Sequence, residues 1–108
     1  MGSYKHRLAA RTDANQAAIV KELESVPGIT VESGHDDILV GYKKNTYWFE
    51  LKQPGCVSRK TGKLLESCKQ DSQKRLEREW TGHYAIVCSI NQIYTDLGLL
   101  NLVNRDDF

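Results

Sequence analysis

The chain predicts one α/β domain: a central mixed β-sheet flanked by helices, in the order α-β-β-β-α-β-α. Three observations carry that prediction. Its 108 residues suit one compact core and leave no room for a second. Apolar residues recur at helical spacing near both ends of the chain. Between them lie short apolar runs bounded by Gly, Pro, Asn, Asp and Ser, the pattern of strands and turns.

The first helix spans about residues 13–25, with Ile19, Val20, Leu23 and Val26 on one stripe, and Pro27-Gly28 stops it. ITVE is a short strand and SGHD turns the chain. DILVGY is the second strand, KKN a hairpin turn near Lys44-Asn45, and TYWFELK a third strand rich in aromatic residues. QPGCVSRKTGKL reads as a loop from its Pro, Gly and Ser content. A helix is predicted over about residues 65–81, followed by the strand HYAIVC. Ile90, Ile93, Tyr94 and Leu97 then mark a short helix capped by Ser89 and ended by Gly98.

Fifteen basic against fourteen acidic residues give a net charge of +1, a weak signal for nucleic acid, whose binders usually carry a clear basic excess. The basic residues are nevertheless clustered. Lys5, His6, Arg7 and Arg11 lie in an arm, residues 1–12, without an acid, and Arg59, Lys60 and Lys63 lie in an acid-free loop. Both patterns suit a solvated surface as well as phosphate contacts. The three cysteines, Cys56, Cys68 and Cys88, show no CxxC or CxxH spacing, which argues against a disulfide framework or structural zinc. No apolar run approaches the roughly 18–20 residues that cross a bilayer. MGSYKHRLAARTD lacks the apolar core of a secretory signal, so a cytoplasmic protein without membrane partners is expected.

Strands tolerate charge poorly, yet GHDDILVGYKKNTYWFELK opens one strand with Asp36-Asp37 and closes the next with Glu50 and Lys52. Residues two apart share a strand face, so Trp48, Glu50 and Lys52 point one way and Tyr47, Phe49 and Leu51 point toward the core. A tight hairpin brings Asp37 beside that end. Two chemistries fit the set. One is an Asp–Lys or Glu–Lys cross-strand pair, worth some tenths of a kcal/mol. The other is a hard divalent cation held by paired carboxylates, with a lysine placed to stabilise charge on a phosphate.

Three stretches in order resemble the PD-(D/E)XK nuclease superfamily, and within it the short phage-type VRR-NUC proteins. RTDANQAAIVKELESVPGITV resembles that family's opening helix, HDDILVGYKKNTYWFELK its PDLLVG…(E)xK core, and SQKRLEREWTGHYAIV its Q…W-x-G segment. The similarity covers roughly residues 11–98 and implies a restriction-endonuclease-like core, with residues 13–108 as a VRR-NUC-like nuclease domain. It implies a hydrolase acting on DNA phosphodiesters, with Mg²⁺ as cofactor and Mn²⁺ as its substitute. Asp37 and Glu50 would be metal ligands, joined by the backbone carbonyl of Leu51, and Lys52 the catalytic lysine. Gln73, seven residues before Trp80, would be the family's glutamine, against a surface helix residue as the plainer reading. Gln16 would sit in the water and metal shell, or else close a capping box with Asp13. Lys5, Arg7, Arg11, Arg59, Lys60 and Lys63 would hold the nucleic-acid backbone.

By the same resemblance the partners are DNA, branched DNA included, and a second copy in a homodimer. The activity would be a structure-selective endonuclease of Holliday-junction type, in a bacterial or phage-infected host cell. The alternatives are an inactive nucleic-acid-binding module that keeps the fold, and a structural protein with cross-strand ion pairs. One departure stands out: Asp36 occupies the position where the family carries proline.

Overall fold

The structure, a computed structural model, describes residues 14–104. The basic arm with Lys5, Arg7 and Arg11, and the Asp13 of the expected capping box, lie outside the described residues.

The elements are α1 (Ala14–Glu24), β1 (Ile29–Ser33), β2 (Asp37–Tyr42), β3 (Asn45–Leu51), α2 (Asp71–Glu79), β4 (His83–Val87) and α3 (Ile90–Leu97). The predicted α-β-β-β-α-β-α order is therefore the observed one. The four-stranded sheet runs β1-β2-β3-β4. β1, β2 and β3 form an antiparallel meander, and β4 pairs parallel to β3. A parallel neighbour cannot be reached by a tight turn, so the chain between β3 and β4 must cross over, and α2 lies within that crossover.

Alternation in the strands decides which face is dry. Ile38 and Val40 of β2, Phe49 of β3 and Val87 of β4 turn to one side, where Ile19 and Leu23 of α1 and Ile93 and Leu97 of α3 cover them. The phenolic O–H of Tyr94 on α3 donates to Glu22 on α1 at 3.0 Å, tying the two helices together over that face. The opposite face carries Asp37, Leu39, Trp48, Glu50 and Tyr84, is met by Trp80 just after α2, and leaves Leu39 exposed. One face of the sheet is thus committed to the core and the other kept partly open.

Sequence punctuation explains the helix ends. Gly28 adopts φ 90° just after Pro27, a conformation that only glycine takes without strain. Ser89 accepts from the Gln92 amide at 3.4 Å to start α3, and Gly98, in the left-handed region, ends it. The helix expected over residues 65–81 is shorter, Asp71–Glu79. Glu66–Cys68 instead forms a 3-10 turn, and Gln70, in extended conformation, begins α2 by exchanging side-chain bonds with Gln73.

The cysteine expectation needs correction, because Cys56 and Cys68 form a disulfide, with Cα atoms 5.9 Å apart. An odd count argues against full pairing, but it leaves room for one bridge and one free thiol, here the buried Cys88. Such bridges form in oxidising surroundings and are rare in the cytoplasm, which weakens the expectation about compartment. No helix among the described residues is long and apolar enough to cross a membrane. The bridge closes the loop that carries Arg59, Lys60 and Lys63, where Val57 and Leu64 also pair. Replacing both Cys56 and Cys68 by serine is expected to lower stability by about 2–3 kcal/mol, read as a lower denaturation midpoint against the oxidised protein.

Candidate functional site

The hairpin turn sets the chemistry of the site. It is centred on Lys43 and Lys44, with φ 53° and 67°, a two-residue turn of the kind whose twist matches the flanking strands. A turn centred on Lys44-Asn45, as the sequence suggests, would slide the register by two and set Asp37 opposite Lys52. The observed turn sets Asp37 directly opposite Glu50. The Leu51 amide donates to the Asp36 carbonyl at 2.9 Å, so that pair is the hydrogen-bonded kind and its neighbour, Asp37 with Glu50, is not. In non-hydrogen-bonded pairs the Cα atoms are only about 4.5 Å apart and the side chains are at their closest.

Two like charges therefore face each other where cross-strand proximity is greatest, an arrangement that destabilises a sheet. Among the described residues no ion pair relieves it, and neither carboxylate is bridged to Lys52. The Asp–Lys or Glu–Lys cross-strand bridge is thus not formed. Glu50 is 9% exposed, and burial, then the charge of Asp37, push its carboxyl up to about 7 from an ordinary 4.5, against the opposing pull of Lys52.

The surroundings hold this end of the hairpin in place. The Trp48 indole N–H donates to Asp37 Oδ2 at 2.8 Å. The Gly34 amide donates to the Asp37 carbonyl at 2.7 Å. Gln16, on the first turn of α1 and buried, donates from Nε2 to the Gly34 carbonyl at 3.2 Å, while its Oε1 is buried without a partner among the described residues. Beside it, Asn15 Nδ2 donates to the Lys52 carbonyl at 3.4 Å. The Lys52 amide donates to the Val87 carbonyl at 2.8 Å, which fixes the backbone that carries the lysine. Asp36 points elsewhere, an exposed carboxylate 3.1 Å from Nδ1 of His35.

The remaining expected residues are placed as follows. Gln73 is buried rather than on the surface, and its Oε1 accepts from the Gln70 amide at 3.0 Å, a capping role. Arg59, Lys60 and Lys63 are exposed on the loop after Lys52. Sequence reasoning missed Trp48 and Tyr84. Tyr84 is the β4 partner of Trp48, and their rings meet edge-on at 4.9 Å. Its hydroxyl is buried without a partner among the described residues, and burial, then the Glu50 charge, push it up to about 12. The signal for Trp48 was available: it lies two residues before Glu50 on the same face, hence diagonal to Asp37.

No group of three or more His, Cys, Asp and Glu side chains that could hold a metal occurs among the described residues. The donor set here is smaller, two carboxylates with the Leu51 carbonyl next along the chain. That suits Mg²⁺, which keeps several waters and commonly takes only one or two carboxylates from the protein. A cavity of about 310 Å³ beneath Tyr47, Phe49, His83 and Asp96 belongs to the core side of the sheet, away from the carboxylates. No family model, curated protein or solved structure matches the chain.

The raised Glu50 carboxyl makes stability depend on pH. Between pH 4.5 and about 7 the folded protein keeps a proton that the unfolded chain gives up. Its contribution is full below 4.5 and is lost as pH rises through about 7. In EDTA the melting temperature is therefore expected to be higher near pH 5 than near pH 8. Glu50→Gln should shrink that difference, and a cation held by the pair would take the proton's place, so that Mg²⁺ at the higher pH would restore part of the lost stability.

Proposed function

We propose that the chain is a divalent-metal-dependent nuclease that hydrolyses DNA phosphodiester bonds, with Asp37 and Glu50 as the metal ligands. The observation that carries this reading is the register: two carboxylates in the closest kind of cross-strand pair, one of them buried, with no cation among the described residues bridged to either. Such a pair costs stability unless a proton or a cation neutralises it, and a hard divalent ion held by the two carboxylates would do so.

Asp37, Glu50 and the Leu51 carbonyl would hold Mg²⁺ or Mn²⁺. An ion held there would supply positive charge, the chemistry needed to polarise a phosphoryl oxygen and favour ionisation of an attacking water. The protein's own groups do the rest. Lys52 shares the face of Glu50 and stabilises negative charge developing on the phosphate as the P–O bond breaks. Asn15 and Gln16 hold the backbone on both sides of the carboxylates. The exposed Arg59, Lys60 and Lys63 provide sequence-independent contacts to the backbone of the substrate. The restriction-endonuclease-like core, the structure-selective action on branched DNA and the homodimer belong to this proposal through the family resemblance alone.

The test is cleavage of duplex, flap and four-way DNA with Mg²⁺, with Mn²⁺ and with EDTA. Metal-dependent cleavage that Glu50→Gln abolishes supports the reading. Metal-dependent binding of these DNAs without cleavage would make the chain the inactive binding module instead.

A further inference from the structure

We propose that Trp48 is a positioning residue for Asp37, its indole N–H locking the carboxylate in the orientation in which it meets a divalent cation together with Glu50. This rests on the metal-site reading above and names a residue that neither the D…ExK pattern nor the family resemblance assigns.

Asp37 is gripped from two directions. On one side Trp48 Nε1 donates to Oδ2 at 2.8 Å. On the other, Oδ1 packs against Gly34 so closely that a Cβ built there would collide with it and force the carboxylate to shift. The indole is itself held, edge-on to Trp80 at 5.2 Å and to Tyr84 at 4.9 Å. Its direction is therefore set by packing and not by the bond it makes.

The choice of donor matters chemically. An indole N–H only donates, carries no charge and does not titrate, whereas lysine or arginine would occupy the cation's electrostatic place. One N–H also uses only one of about four acceptor positions on a carboxylate, leaving the others for a metal. Groups that orient a ligand in this way typically contribute about 10- to 100-fold in metal affinity.

The test uses the full chain and two variants. In Trp48→Phe, Mn²⁺ binding followed by calorimetry is expected to weaken by about 10- to 100-fold. Far-ultraviolet circular dichroism should match the wild type. In Trp80→Phe, Trp48 is the remaining tryptophan. Its emission is expected to change saturably on Mg²⁺ addition, with the midpoint that Mg²⁺ calorimetry of the same variant gives, and Asp37→Asn in that background should abolish the change. Unchanged Mn²⁺ affinity in a folded Trp48→Phe overturns the positioning role while leaving the metal site standing. If Trp48→Phe does not fold, a silent Trp48 emission in Trp80→Phe at saturating Mg²⁺ overturns it. A wild type that binds no Mn²⁺ overturns both this role and the metal site.

Discussion

Lys52→Ala is expected to lower metal-dependent DNA cleavage by about 10²- to 10³-fold while the protein stays folded and still binds Mn²⁺. The size follows from the role. A positive donor that meets charge appearing only in the transition state contributes to the rate and little to substrate or metal affinity. The fold should tolerate the change, because Lys52 anchors through its backbone, by the amide bond to Val87 and the carbonyl bond from Asn15, and alanine keeps both. Metal binding should move little, since two effects oppose each other. Removing the lysine charge raises the Glu50 carboxyl further, yet it also removes a cation that repels the metal. Single-turnover cleavage measured beside Mn²⁺ calorimetry checks the separation. Equal loss of cleavage and of metal binding would make Lys52 part of the ligand scaffold instead.

The largest expected effect on stability comes from Phe49→Ala, at about 3–5 kcal/mol. Phe49 is 1% exposed and lies between the charged end of β3 and the core shared by α1 and α3. It neighbours Glu50 in the chain but faces the other way, so the substitution opens a cavity without touching the carboxylates. Folded domains of this size are stable by only about 5–15 kcal/mol, so a loss of this order leaves a substantial unfolded fraction on mild heating. Chemical denaturation gives the value directly. If the hairpin holds Mg²⁺ as proposed, adding the ion to the variant should recover part of the loss, because it would bind the folded hairpin and not the unfolded chain.

How much of this was legible in the sequence depends on what each feature requires. The order of elements followed from local periodicity and from turn residues, and the faces of β3 followed from simple alternation, with Phe49 inward and Glu50 on the open side. The length of α2 did not, because residues 65–70 have no strong breaker and tertiary contacts hold them out of the helix: the disulfide, the Leu65 amide bond to the Cys56 carbonyl and the Lys69 pairs with Glu66 and Glu77. The Cys56–Cys68 bridge needs the three-dimensional path of the loop, which spacing does not supply. The candidate site was legible as a neighbourhood but not as a pairing. Moving the turn by one residue changes the partner of Asp37 from Lys52 to Glu50, and so turns a neutral ion pair into two opposed carboxylates. Two lysines with positive φ form that turn, where glycine or asparagine would have marked it, so its position carried little sequence signal. Trp48 was overlooked because its bond to Asp37 is a diagonal contact that only the correct register brings within reach.

The most direct test of the opposed pair is Mn²⁺ calorimetry on the wild type, Asp37→Asn and Glu50→Gln, with each variant shown to be folded. Saturable binding to the wild type that is lost in both variants is the predicted result. Binding of equal affinity in all of the proteins, or none in any of them, would contradict a metal held between Asp37 and Glu50.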